Sequence, residues 1–457
     1  MPVRSRLAHA AAHVRAAAMD ILSLARAHLS EALQDPADGL PDPGSRWGTL
    51  AAWSRQNIAS FRSVEEAVHF AQRPSGHGGF EARYMGEDLI RHATLIASAL
   101  LRDCPQAAPH LSSFVEPGIS RPETTMIYGG RRISSPLNAH MLFYFSCAAR
   151  VPKMDQVCEI GGGFGAQARL FLTNSYRRPQ TYVIVDLPES LFFAEVYLRA
   201  TLGRDRVHYV QGREPPEAAD GDVLLCPLTR LQALRSTRFD LVLNTHSMQE
   251  MTDAYITFYR HWLDEQDAGY FYSFNYFMHG VDSQTECGNT LAPRLSERWE
   301  VVWSPTWGDP PFLCTHVLAK RADPRTIDHR NKLTIEQHFK RPLAVESVYP
   351  LLHVAETSRD ARFRFQLMAA MVEDFEFRPR ELLFLAGLIE AADPGSSPLT
   401  DAERRQVREL RSDLARRLAN SVPRVPPHLV DMQRELYAPA EPRPTAPWAA
   451  ASDPASG

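Results

Sequence analysis

The sequence predicts an α/β fold: a mostly parallel sheet with helices on both faces, plus helical N-terminal and C-terminal regions. Three observations carry this. Between about residues 156 and 320, short apolar runs alternate with helical stretches, as strands joined by crossover helices do. One of those runs, VCEI, passes directly into GGGFG and then into a helical stretch, a strand–turn–helix opening. Residues before 150 and after 325 place apolar side chains at intervals of three and four, the helical period.

The elements follow in order. MPVRSRLAHAAAHVRAAAMDILSLARAHL scatters Arg4, Arg6, Arg15 and Arg26 among alanines, which breaks the apolar core that a secretory signal needs. A surface helix with Val14, Met19, Ile21, Leu22, Leu24, Ala25 and Leu29 on its apolar side is expected there, with an Arg-rich transit peptide as the alternative. Residues 36–45 are turn-rich and read as a linker. Ser63 and Glu66 form a capping-box pair opening a short helix through Phe70. Residues 73–80 read as a loop, and 87–103 as a buried helix carried by Leu89, Ile90, Ala93, Ile96 and Leu100. Ser135 before Pro136 marks a helix start running to about Arg150. Strands are expected at 156–160, 181–187, 207–212, 222–227, 239–244, 269–274, 300–303 and 313–320. Helices return at 360–377 and 381–392, and 401–418 reads as a solvated, salt-bridged helix. The Pro/Ala-rich end is expected to be disordered. The expected division is 1–134 helical region, 135–322 α/β domain, 323–436 helical extension and 437–457 tail.

Composition narrows the function. With 50 Lys+Arg against 54 Asp+Glu, the chain has no global basic field, so no nucleic-acid partner is expected. The 6 cysteines are scattered singly, which disfavours disulfides and structural zinc and fits a reducing cytoplasm. No run of about 18 apolar residues occurs, so no membrane span is expected. The chain holds 24 glycines, fewer than the roughly 32 of an average chain at about 7%, so a tight glycine cluster needs a reason.

That cluster is Gly161, Gly162, Gly163 and Gly165 in VCEIGGGFGAQARLFL. Glycines permit positive φ and close ligand approach, and the amides of the following helix start offer donors to an anionic group. Gly161, Gly163 and Ala166 also satisfy the dinucleotide pattern, which leaves two classes of nucleoside cofactor open. Glu159 just before the glycines suits an ammonium-bearing ligand better than a pyrophosphate, which it would repel. Asp186 ends the next apolar run and can accept both ribose hydroxyls of either ligand.

These segments carry a resemblance. CEIGGGFGAQARLFL, VIVDLPES, FDLVLNTHSMQEM and YFYSFN resemble a bacterial family of sugar O-methyltransferases within the Rossmann-like class I S-adenosylmethionine-dependent methyltransferases. The match covers roughly residues 120–320. It implies S-adenosyl-L-methionine as cofactor, with Glu159, Gly161 and Gly163 cradling its methionine part. Asp186 would bind the ribose hydroxyls, and Leu187 would pack near the adenine, with Cys226 to Leu228 as further adenine contacts. The implied acceptor is a sugar-containing small molecule.

Thr245, His246, Ser247, Gln249 and Glu250 follow the run FDLVLN, at the carboxyl edge where such sheets bind ligands. Methylation of a hydroxyl needs alignment and removal of its proton, and a sugar hydroxyl is a poor nucleophile. His246 is the candidate general base, with Glu250 four residues on as its orienting partner if a helix has begun there. Both could instead pair structurally at a helix start. Asn244 and Asn275, each ending an apolar run, are candidate substrate contacts. Arg131 beside Arg132 on a glycine turn could clamp a phosphate, or be surface charge. Residues 282–290 and 304–311 are candidate lid segments, and Trp303 and Trp307 candidate sugar-stacking surfaces. No metal site is expected, and the helical regions would shape the acceptor pocket or a homo-oligomer interface. The rival functions are an NAD-dependent oxidoreductase on the same glycine loop, for which no hydride-transfer set stands out, and a non-catalytic binding subunit.

Overall fold

The computed structural model describes residues 20–37, 39–42, 44–73, 86–121, 125–276, 295–304, 306–307, 314–323, 348–357, 360–372, 379–391 and 399–420. The first 19 residues, the 73–80 loop beyond Arg73, the 282–290 segment and the C-terminal tail therefore lie outside the described residues.

The N-terminal region opens with helices α1 (Ile21–Ala32), α2 (Gly44–Ile58), α3 (Val64–Ala71) and α4 (Gly86–Asp103). Their starts are set by local chemistry. The Asp20 carboxylate accepts from the Ser23 amide at 2.8 Å, and Ser63 accepts from the Glu66 amide at 3.2 Å while Glu66 reaches back to the Arg62 amide. This region is not wholly helical as expected. Strands β1 (Thr125–Tyr128) and β2 (Arg131–Ser134) form an antiparallel hairpin across Gly129 and Gly130. Both glycines have positive φ (+56° and +74°), as a two-residue primed turn requires. Helix α5 (Ser135–Ala148) follows, capped by Ser134 rather than Ser135.

The sheet strands are β3 (Gln156–Ile160), β4 (Thr181–Asp186), β5 (Val207–Tyr209), β6 (Asp222–Pro227), β7 (Phe239–Thr245), β8 (Ala268–Tyr276), β9 (Trp299–Trp303), β10 (Thr306–Trp307) and β11 (Cys314–Arg321). They form one 9-stranded sheet in the order β10-β11-β8-β7-β3-β4-β6-β5, with β9 also on β11. The pairs from β5 through β8 are parallel, and β11 runs antiparallel to its neighbours. Helices α6 (Ala166–Thr173), α7 (Pro188–Leu202) and α8 (Asp253–Glu265) connect the strands. The fold is thus Rossmann-like α/β, as the sequence predicts.

Side-chain alternation divides the core into two faces. Val157, Tyr182, Ile184, Leu241 and Leu243 join the apolar cluster that includes α1, α3, α5, α6 and α7. Cys158, Ile160, Val183, Val185 and Val242 join the cluster on the other face. That second face is covered by α8 and by α9 (Val348–Thr357), α10 (Ala361–Val372), α11 (Pro379–Glu390) and α12 (Asp401–Asn420). In α12, Val407 and Leu414 are buried while Arg405, Arg408, Arg411, Arg416 and Arg417 are exposed. Asp413 pairs with both Arg416 and Arg417, so the helix has the solvated ion-paired face the sequence predicts. The flanking regions share the two cores of the sheet, so the expected division at 135 and 322 does not mark independent cores. Among the described residues no helix is long and apolar enough to cross a membrane.

Candidate active site

The chain moves outward from β3 in both directions, to β4 on one side and later to β7 on the other. A crevice at the carboxyl ends of β3 and β7 is the ligand position that this topology creates. A cavity lies there, lined by Gly161, Val185, Asp186, Leu187, Leu228, Met251, Tyr255, Tyr259 and Trp47. Gly161, Val185, Asp186, Leu187 and Leu228 sit at or just beyond the ends of β3, β4 and β6, Met251 precedes α8, and Tyr255 and Tyr259 lie on α8.

The glycine loop is held from both neighbouring strands. The Gly161 amide donates to the Val185 carbonyl at 2.8 Å, and the Asn244 side-chain amide donates to the Ile160 carbonyl at 2.8 Å. Gly161 has φ +74°, and a Cβ on it would stand 2.1 Å from Ser247 Oγ. Only glycine fits that position, because both the dihedral and the space forbid a side chain. Gly163 and Gly165 also have positive φ, and α6 begins at once after them.

Asp186 lies at the cavity wall with its carboxylate anchored by backbone. Oδ2 accepts from the Gly163 amide at 2.8 Å and Oδ1 from its neighbour Leu187 at 2.7 Å. Burial raises its pKa to about 6 against the pull of these amides and of Ser190, so the group is mainly ionised at neutral pH. An ionised carboxylate keeps further lone pairs, so it can still accept hydroxyl donors.

Glu159 is not among the cavity's walls. It is 2% exposed, and Tyr182 donates its hydroxyl to Glu159 Oε2 at 2.8 Å. Burial raises its pKa to about 8, which keeps most of it neutral at pH 7. A Cβ on Gly162 would lie 3.0 Å from Glu159 Oε2, so the carboxyl packs directly beneath the glycine loop. The direct cradling role expected for Glu159 is corrected accordingly: it supports the loop from below.

His246 follows β7 with φ +58°, alone among the described non-glycine residues in having positive φ. Its amide donates to the Phe274 carbonyl at 2.8 Å, and its half-buried ring sits 5.8 Å from the Phe143 ring and 5.0 Å from that of Phe274. Such a backbone costs on the order of 1–3 kcal/mol and persists only where surroundings enforce it. Here they set the imidazole against the Phe143 and Phe274 rings, and it is not among the cavity-lining side chains. The helical relation expected between His246 and Glu250 is absent, because Met248–Glu250 is a short 3-10 turn and α8 starts only at Asp253. The Glu250 side chain lies outside the described residues.

Asn244 and Asn275 lie deeper than expected, at 0% and 1% exposure. Asn275 Nδ2 donates to Asn244 Oδ1 at 2.9 Å, and Asn275 Oδ1 accepts from the Gln249 amide at 3.2 Å. Asn244 Nδ2 also donates to Ser247 Oγ, so the pair braces the loop that carries His246 instead of facing the cavity. Arg131 is on the β2 hairpin and donates to the Leu111 carbonyl at 2.7 Å, a structural tie in place of the expected phosphate clamp. The Trp303 ring is stacked under the Arg150 guanidinium at 3.7 Å, and the Trp307 side chain lies outside the described residues. Cys226 is fully buried with its thiol near the Pro227 and Arg230 carbonyls, and only Leu228 of the expected 226–228 set lines the cavity.

The reading of sequence missed five lining residues, among them Val185 at the end of β4. Tyr255 and Tyr259 stand four apart on α8 and Met251 four before them in the preceding turn, a spacing visible in the sequence. Trp47 has no local signal, since it comes from a distant helix. Among the described residues no group of three or more His, Cys, Asp or Glu side chains is placed to hold a metal ion.

No protein-family model and no curated protein matches the chain. Solved structures do. One is the B. subtilis M1A22 tRNA methyltransferase TrmK, at 9% identity and TM-score 0.31 over 60% of this chain and 97% of that one. Another is magnesium protoporphyrin IX methyltransferase (ChlM) from Synechocystis PCC 6803 with bound SAH, at 10% identity and TM-score 0.28 over 43% and 91%. A third is the 16S rRNA methylase ArmA, at 11% identity and TM-score 0.25 over 51% and 97%. Two of these act on RNA, so the expectation that nucleic acid is excluded as a partner is withdrawn.

Proposed function

We propose that this chain is a methyltransferase that uses S-adenosyl-L-methionine. The observation that carries the reading is the cavity at the switch point, apolar and aromatic except for Asp186 at its edge. That donor set fits a nucleoside: a flat base against Leu187, Leu228 and the tyrosines, and a ribose diol on an ionised carboxylate. The positive-φ glycines let a ligand come against the backbone, and Gly161 lines the cavity. A bound S-adenosylmethionine would supply an electrophilic methyl on a sulfonium sulfur.

The rest of the chemistry belongs to the chain. Asp186 and the glycine loop fix the ligand's register. The Asn244–Asn275–Ser247 brace fixes the loop after β7. His246, held by that brace and by Phe143 and Phe274, is positioned to take a proton from an acceptor hydroxyl. The finer reading is therefore O-methylation, with a sugar-containing small molecule as the acceptor class implied by the family resemblance.

His246→Ala should keep affinity for S-adenosylhomocysteine and lose about 100-fold or more in turnover, the usual share of a general base. Methyl transfer from labelled donor is to be followed by mass spectrometry on separate pools of glycosides and RNA. Label on a glycoside hydroxyl supports the finer reading. Label on a ring nitrogen, or an unchanged His246→Ala rate, overturns it.

A further inference from the structure

Trp47 is the one cavity-lining residue contributed by the N-terminal region; the others lie between Gly161 and Tyr259. It lies in the first turns of α2. The segment from Asp35 to Arg55 is tied to the sheet at three points. Asp35 accepts from Arg230 Nε at 2.7 Å and from Thr229 Oγ1 at 3.1 Å. The Asp42 carbonyl accepts from Thr252 Oγ1 at 3.4 Å. Arg55 pairs with Glu189, which is almost fully buried. Each anchor immediately follows a cavity wall: Thr229 follows Leu228, Thr252 follows Met251, and Glu189 lies two residues beyond Leu187.

This placement has a geometric consequence. The segment is bonded to the stretches that follow Leu187, Leu228 and Met251, and the side chain it adds to the cavity wall is a large aromatic ring. With Tyr255 and Tyr259, Trp47 gives the cavity three aromatic lining residues. A planar heterocycle gains from such surfaces through stacking and dispersion, and an indole presents the largest of the three rings. Arg230 and Glu189, both largely buried, hold the segment by ion pairs with Asp35 and Arg55.

We propose that the N-terminal segment is part of the nucleoside site, with Trp47 as the surface on which the adenine ring lies. The inference rests on the methyltransferase reading above and adds a binding residue to it. It also makes the helical N-terminal region a component of cofactor recognition as well as a cover for the sheet.

The test is calorimetric titration of the full chain with S-adenosylhomocysteine, adenosine and methionine, for the wild type, Trp47→Ala and Trp47→Phe, with circular dichroism of each. Trp47→Ala should weaken S-adenosylhomocysteine and adenosine alike by about tenfold or more, the size of one base–aromatic stack. Any methionine binding should be unchanged, and Trp47→Phe should recover most of the loss. Equal S-adenosylhomocysteine affinity in wild type and Trp47→Ala overturns the role of Trp47 while leaving the methyltransferase reading intact. No binding to the wild type overturns that reading and this inference with it. If Trp47→Ala does not fold, tryptophan emission decides the matter. The chain has 7 tryptophans, and the emission change on adding S-adenosylhomocysteine should largely vanish in Trp47→Phe. An undiminished change contradicts the proposal.

Discussion

At the scale of single residues, the site is a set of groups held in forms that water would not favour. Glu159 is the clearest. Burial raises its pKa from 4.5 to about 8, with only the Tyr182 hydroxyl opposing the shift. The folded chain therefore holds a proton that the unfolded chain releases. Stability should fall as pH rises from about 4.5 through about 8 and level off above, by an amount on the order of a few kcal/mol. Glu159→Gln should remove that decline, matching the wild type near pH 4.5 and exceeding it at pH 8. Urea denaturation at a series of pH values checks this, and parallel pH dependences for the two proteins would contradict it. Gly161→Ala should destabilise by about 1–3 kcal/mol, because it combines a left-handed backbone with a clash against Ser247. The importance of these positions was legible in the sequence, but their geometry was not. Strand alternation places Glu159 on the face of Val157, beneath the loop, and a linear motif does not display that. The positive φ of His246 likewise follows from the brace around it and not from its neighbours in sequence.

At the scale of elements, the sheet was the most legible part. The apolar runs of the central strands could be read because both faces are buried, and boundaries differ from expectation by a few residues, whereas the two-residue β10 fell in a segment read as a lid. The Gly129–Gly130 hairpin was legible too, since paired glycines between short β-prone runs signal a two-residue turn. The adjacent arginines drew it instead toward an anion site. Helix placement depends on tertiary contacts that sequence does not announce. The link between α1 and α7 is an example: Glu195, fully buried, is bonded by His28 Nδ1 at 2.9 Å and by Arg199 Nε at 2.8 Å. Removing Arg199 leaves a buried carboxylate without its cation, which typically costs about 3–5 kcal/mol. Arg199→Ala should therefore be more destabilising in urea denaturation than His28→Ala. The reverse order would show that the helix contact depends on the imidazole.

At the scale of the whole molecule, the flanking helices are structural halves of the core. Leu351, Leu352, Leu367 and Leu385 share one apolar cluster with Phe271 and Trp299 of the sheet region. A chain ending before α9 should lose cooperative unfolding and elute as aggregate in gel filtration. A monodisperse, cooperatively folding truncation would show that the α/β region folds without the C-terminal helices. The sequence displays the strands and the glycine turn because those are local. It does not display that distant N-terminal and C-terminal segments close over the two faces, because that follows from burial across hundreds of residues. The same distance hid Trp47 from the site.

The central claim is that the cavity at the switch point is the adenosyl site of a methyltransferase. Calorimetric titration with S-adenosylhomocysteine, with NAD in a parallel run, tests it most directly when repeated on Asp186→Ala. The structure predicts micromolar binding of S-adenosylhomocysteine alone, weakened at least about tenfold in the variant through loss of a charge-assisted hydrogen-bond acceptor. Binding of NAD instead, or equal binding of S-adenosylhomocysteine by the wild type and Asp186→Ala, would contradict it.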